Sequence, residues 1–213
     1  MSVFIVLLLL AIELTFAIQV KVENSNKEKM ILLVLGDLHM PQRKVDIPEE
    51  FSKMLIPGKI HRILCTGNLT GKDTYIYLNS LCKDVIVATG DEDESMPDSK
   101  EIQTFKIGNF KFGMLHGHQI VPWGDPERLA GQARELNVDV LISGHTHVPV
   151  VAEYEGVLYL NPGSATGAFS PFAAESTPSF LILDVKNDEM TIYQYKLNEQ
   201  KNVEVFQTVY NLH

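Results

Sequence analysis

Four times in this chain an apolar run of strand length stops at a glycine, and the next residue is a polar one able to bind a metal ion. The runs are "MILLVLGDLH", "HRILCTGN", "DVIVATGDED" and "VDVLISGHTH". They deliver Asp37 and His39, then Asn68, then Asp91 and Glu92, then His145 and His147. Continuous apolar runs of this length fit strands buried on both faces, as in a parallel sheet covered by helices. Between them, "EEFSKML" reads as a short helix closed by Pro57 and Gly58. "KDTYIYLNSLC" places Tyr75, Leu78 and Leu81 at helical spacing. Strand, helix, strand, helix, strand is the order of an α/β domain.

The later chain is richer in strands. "IQTFKIGNFKFGMLHG" alternates as a hairpin turning at Gly108-Asn109 and leads to His116 and His118. "PERLAGQARELN" is a helix. "VVAEYEGVLYLN" and "SFLILDVKNDEMTIYQYKL" read as hairpins turning at Glu155-Gly156 and Asn187-Asp188. The expected architecture is one α/β domain of two packed sheets with helices outside. Carboxyl ends of strands in such sheets meet at one crevice. Five of the seven histidines lie at these ends, which is hard to obtain from turn chemistry alone.

Composition narrows the function classes. The formal net charge of −9 over 213 residues argues against nucleic acid and favours metal ions or protein partners. Two cysteines, one of them within the apolar run "ILCTG", give no disulfide framework and suit a reducing compartment. Residues 1–29 stand apart. "VFIVLLLLAIELTFAIQV" is as apolar as a signal peptide or marginal span, yet no Lys or Arg precedes it and Glu13 interrupts it. The division expected is an extension over 1–29 and a domain over 30–213, with a targeting segment and an upstream start both open for the extension.

In order, "GDLH", "TGN", "GDED", "HGH" and "GHTH" resemble the motifs of the calcineurin-like metallophosphoesterases. The resemblance spans residues 30 to about 185 and implies a four-layer α/β/β/α sandwich. It also implies one or two divalent ions, Zn or Mn, which in that family activate water and clamp a phosphoryl group. Carried over by position, the ligands would be Asp37, His39, Asn68, Asp91, His116, His145 and His147.

Two departures weaken the catalytic implication. Asn68 stands where the family has a bridging aspartate, and a neutral amide is a poor bridge between cations. "GDED" stands where the family has Gly-Asn-His, so Glu92 replaces the histidine that protonates the leaving group, a role worth roughly 10²–10⁴ in rate. With these departures, and with "HGHQIVPWGD" and "NPGSATGA", the chain resembles a non-catalytic branch of the family. Its members are small subunits of the endosomal retromer complex, in endosome-to-Golgi transport.

That resemblance implies a cytoplasmic scaffold, held on endosome membranes only through its complex, with weakly bound metal. Its partner would be the helical solenoid Vps35, met by Ile120, Val121 and Trp123 at the rim of the metal site. A second apolar surface including Ile182, with Tyr195 beside it, would recruit Rab GTPase-activating or similar regulators. An exposed loop with Ile, Val and the single Trp suits docking on its own physics; the plainer alternative tucks Trp123 under the loop. "NPGSATG" is expected to be a structural turn. The alternative function is an active divalent-metal phosphodiesterase. A secreted or membrane-anchored phosphoesterase would be the reading if residues 1–20 prove to be a targeting segment.

Overall fold

In a computed structural model the described residues are 29–94, 99–173 and 176–212; the apolar extension expected over 1–29 lies outside them apart from Lys29. In chain order the strands are β1 (Met30–Leu35), β2 (Arg62–Cys65), β3 (Val85–Val87), β4 (Ile102–Ile107), β5 (Phe110–Leu115), β6 (Val140–Ile142), β7 (Val150–Tyr154), β8 (Val157–Asn161), β9 (Ser179–Lys186), β10 (Glu189–Leu197) and β11 (Val203–Asn211). The helices among the described residues are α1 (Glu49–Ser52), α2 (Lys72–Leu81) and α3 (Pro126–Leu136).

The strands form two sheets, in the orders β11-β10-β9-β1-β2-β3 and β4-β5-β6-β8-β7. β1, β2 and β3 run parallel, as the apolar runs predict, and β9 joins β1 antiparallel. Alternation along β1 divides its side chains between two cores. Leu32 and Val34 point between the sheets, against Phe110, Phe112 and Met114 of β5. Leu33 and Leu35 point outward, against Phe51 of α1 and Leu78 of α2. On the far side of the second sheet, Ala130 and Ala133 of α3 close over Leu115 and Leu141. The layers are therefore helix, sheet, sheet, helix, and most of the large apolar side chains that build them are fully buried.

The three expected hairpins are present as β4-β5, β7-β8 and β9-β10. The helix expected over "EEFSKML" is shorter, ending at Ser52, because Leu55 turns inward ahead of Pro57. β11 was not foreseen. Its alternation is blurred because it is an edge strand exposed along most of its length.

The glycines that end β1 and β2 are required by close packing. A Cβ on Gly36 would collide with the Thr66 hydroxyl, and Gly67, at φ +102°, lies against the Ala88 carbonyl. The loops after β1, β2 and β3 are thus stacked backbone to backbone, which brings Asp37, Asn68 and Asp91 together.

Candidate metal centre

Five of the seven expected ligands, Asp37, His39, Asn68, His145 and His147, have positive φ between 47° and 68°. Non-glycine residues enter this region at a cost of order 1–2 kcal/mol, so surrounding bonds must hold them there. Asp37 N–H donates to the Gly67 carbonyl and His39 N–H to the Asn68 carbonyl, each at 2.9 Å. "NPGSATG" supports the same loop from the other side. Ser164 Oγ donates to the Asp37 carbonyl at 2.7 Å and Thr166 Oγ1 to the Leu38 carbonyl at 2.8 Å. The turn expected there is thus a brace, and these bonds end on the backbone of the loop.

The side chains gather into two groups, Asp37 with His39 and His147, and Asp91 with His116 and His145. Three histidine rings are oriented through Nδ1. His116 Nδ1 donates to the Thr66 carbonyl at 2.8 Å, His147 Nδ1 to the Ala168 carbonyl at 2.7 Å, and His39 Nδ1 to Glu92 Oε2 at 3.1 Å. A ring anchored this way turns Nε2 to the centre, the usual arrangement behind a metal ligand. His39 Nε2 and His147 Nε2 are 3.2 Å apart, as are His116 Nε2 and His145 Nδ1. Nitrogens each about 2.1 Å from a tetrahedral zinc ion would be separated by roughly 3.4 Å, so both groups fit such an ion.

Asp37 supplies the other sign of a metal seat. It is fully buried, and its Oδ2 accepts from His145 N–H at 2.9 Å. Its Oδ1 has no hydrogen-bond partner. That oxygen lies 3.5 Å from His147, 3.9 Å from His116 and 4.0 Å from His39, facing both groups. The carboxylate positioned between the two centres is therefore Asp37, a placement that sequence spacing does not disclose.

Asn68 reaches the centre as expected, and its neighbours set the turn of its amide. Its amide oxygen accepts Glu92 N–H at 3.0 Å, which turns the NH₂ group inward to donate to Asp91 Oδ1 at 3.0 Å. In this arrangement the Asn68 NH₂ group faces Asp91 and His116. Glu92 is engaged on both carboxylate oxygens, by His39 and by Arg43, and Arg43 also donates to the Phe169 carbonyl.

Asp93, not singled out in the sequence, holds the floor of the site. It accepts from the backbone N–H of Asn68, Thr70 and Gly90 at 2.8, 3.0 and 2.9 Å. Its only sequence signal is being the third acid of "GDED". Asp93→Ala should cost about 3 kcal/mol of stability by stranding these donors, read as a lower midpoint in urea unfolding.

Burial alone would raise the Asp37 carboxyl, but the His147 ring 3.5 Å away and the other histidines around it bring it below the ordinary value. His116 is pulled down by burial and pushed further up by Asp91 and Asp37, so it holds its proton above the usual range. His39 and His145 are lowered, first by burial and then by adjacent positive charge. His116 thus holds its proton more tightly than an ordinary imidazole, and His39 and His145 hold theirs less tightly. A cation entering beside His116 must displace that proton. Below the raised His116 value, zinc affinity should gain about tenfold per pH unit, levelling above it. Below that value, calorimetry in buffers of different ionisation enthalpy should find about one proton released per ion at that centre.

A cavity of about 180 Å³ opens over the site, bordered by His39, Asp91, His145, Trp123 and Phe172. Trp123 is 43% exposed and stands edge-on to His145 and Phe172; its Nε1 donates to the His118 carbonyl at 3.1 Å. It is therefore not tucked under the loop. Val121 is 67% exposed. Ile120, expected on this rim, is instead buried with Leu115 and Ala130, because it is the one residue of the loop pointing back toward α3. Ile182 and Tyr195 share a shallow groove of about 120 Å³ beside α1, on the outer side of the first sheet.

Residues 30–188 match the calcineurin-like phosphoesterase superfamily domain. Vacuolar protein sorting-associated protein 29 of Schizosaccharomyces pombe is 40% identical over 174 residues, covering 79% of this chain and 91% of that protein. Vps29 of Entamoeba histolytica, solved as a complex with Zn²⁺, is 47% identical with a TM-score of 0.80, over 85% of this chain and all of the other. Vps29 of Chaetomium thermophilum is 38% identical with a TM-score of 0.82, over 86% of this chain and all of the other.

Proposed function

The chain belongs to the Vps29 branch of the calcineurin-like phosphoesterase superfamily, and on that premise we propose that it is a non-catalytic retromer subunit. In this reading it docks the helical partner Vps35 through the rim of its metal site. The observation that carries the reading is Glu92. Its position is where the family's hydrolases place the proton-donating histidine, and both its oxygens are engaged as acceptors by His39 and Arg43. A group used to orient a ligand histidine and to tie down the loop at Phe169 is poorly placed to protonate a leaving group.

The rim supports docking. Val121 and Trp123 expose apolar surface at the mouth of a polar cleft, the arrangement of an anchor residue beside a polar contact. In this reading Asp37, His39 and His147, and Asp91, His116 and His145, hold one or two zinc or manganese ions. The groove at Ile182 and Tyr195 receives a regulator such as a Rab GTPase-activating protein. The domain is 30–213, and residues 1–29 are an appended segment. Among the described residues no helix is long and apolar enough to cross a membrane; the proposed location is the cytoplasmic face of endosomes, through the complex.

The experiment is titration of purified Vps35 with the chain and with Val121→Asp. Tight binding lost on that substitution supports the reading, and equal binding by both refutes the placement of the rim. The second reading, an active phosphodiesterase, is favoured by the completeness of the two ligand groups.

A further inference from the structure

Part of the outer face of the first sheet is open. Phe180 and Tyr195 stack there with ring centroids 4.6 Å apart, and register places Val205 opposite Tyr195. With Ile31 and Ile182 these rings line a groove of about 120 Å³ that the turn after α1 borders. In that turn Met54 and Ile56 are 42% and 52% exposed, and Val205 on the other side is 49% exposed. Contiguous exposed apolar surface of this kind marks a place that something covers.

The chain brings its own apolar segment to this place. β1 begins at Met30, and its second residue, Ile31, lines the groove. Just ahead of it, Lys29 pairs with Asp184 at 2.7 Å, and Asp184 stands opposite Ile31 on the same face of the sheet. The junction with the extension is therefore held on the groove side. Residues 3–20 read "VFIVLLLLAIELTFAIQV", and the mostly polar residues 21–28 join them to Lys29. Eight residues span up to about 27 Å, ample for a return to a groove that starts two residues beyond the junction. A segment tethered this closely meets its seat at an effective concentration on the order of millimolar.

Charge adds a second match. Glu13 is the only charged side chain in residues 1–20. Covering the run would bury that carboxylate, which is costly unless a cation meets it. Lys59 is the only charged residue bordering the groove, and its ammonium has no carboxylate partner among the described residues. One acid within an apolar run thus complements one unpaired base beside an apolar groove.

We propose that the groove beside α1 is the seat of this chain's own apolar segment, residues 3–20. Glu13 meets Lys59, and the aliphatic side chains around it cover Met54, Ile56 and Tyr195. The segment then fills in cis the groove at Ile182, and a regulator using that groove must displace it. The inference needs the groove and not the regulator, so it holds or fails independently of the rim reading.

The test uses the purified full chain in detergent-free buffer, with a photo-crosslinking residue at the exposed position Ile56. Irradiation should join position 56 to a residue within 3–20 of the same chain, at monomer mass and in a yield unchanged by tenfold dilution. The same probe at Val121, on the metal rim, should give no such product. Glu13→Lys should cut the yield at least fivefold, and Glu13→Lys combined with Lys59→Glu should restore it. No crosslink from position 56 to residues 3–20 overturns the proposal, and sedimentation of that protein on phosphatidylcholine vesicles would then assign the run to a membrane. A crosslink found only at dimer mass also overturns it, making a second copy the occupant. A yield indifferent to both charge variants overturns the seating of Glu13 at Lys59.

Discussion

Val121→Asp is expected to abolish partner docking while leaving the fold intact. The side chain is two-thirds exposed, so the free protein should change stability by no more than about 0.5 kcal/mol. In a docked complex the new carboxylate would be covered without a cation, close to a site that already carries Asp91 and Glu92. Burying an unpaired charge at an interface costs roughly 3–5 kcal/mol, a loss of roughly 10²–10⁴ in affinity. Titration calorimetry checks the binding and thermal unfolding checks the fold. Trp123→Ala should weaken binding less, because part of the indole is already held by His145 and Phe172.

Asp37→Ala should separate metal binding from docking. It removes the one carboxylate facing both ligand groups and strands the His145 N–H that its other oxygen accepts. Metal affinity should fall by more than roughly a hundredfold, beyond the 10–100-fold typical of losing a group behind the ligands. The stranded donor should cost about 1–3 kcal/mol of stability. Partner affinity should stay within about threefold, because Val121 and Trp123 are placed by their own loop. Zinc titration and partner titration of one preparation check both halves. Loss of both together would mean that the ion itself holds the docking surface.

The fold was legible because its buried strands are uninterrupted. The runs ending at Gly36, Gly67 and Gly144 carry apolar side chains on both faces, and only a sheet covered on both sides can use them. β11 was not legible, since Val205, Phe206 and Val209 are all about half exposed and an edge strand need not alternate cleanly. The site was legible as a set of residue types and not as a geometry. Nothing in "TGN" tells which way the Asn68 amide turns; the Glu92 backbone decides it. Likewise "QIVPW" cannot say that Ile120 packs inward while Val121 faces out, because a loop has no period to read. Arg43 and Asp93 act on other residues of the site, and such bracing roles leave no spacing signature.

The central claim, that a phosphoesterase site persists here as a docking pole, is tested most directly by hydrolysis of bis-p-nitrophenyl phosphate. The purified protein is assayed with saturating Mn²⁺ or Zn²⁺ beside Asp37→Ala and His116→Ala. With Glu92 held by Arg43 and His39, turnover should match both variants within error. Metal-dependent turnover well above both would contradict the account and make the chain an enzyme.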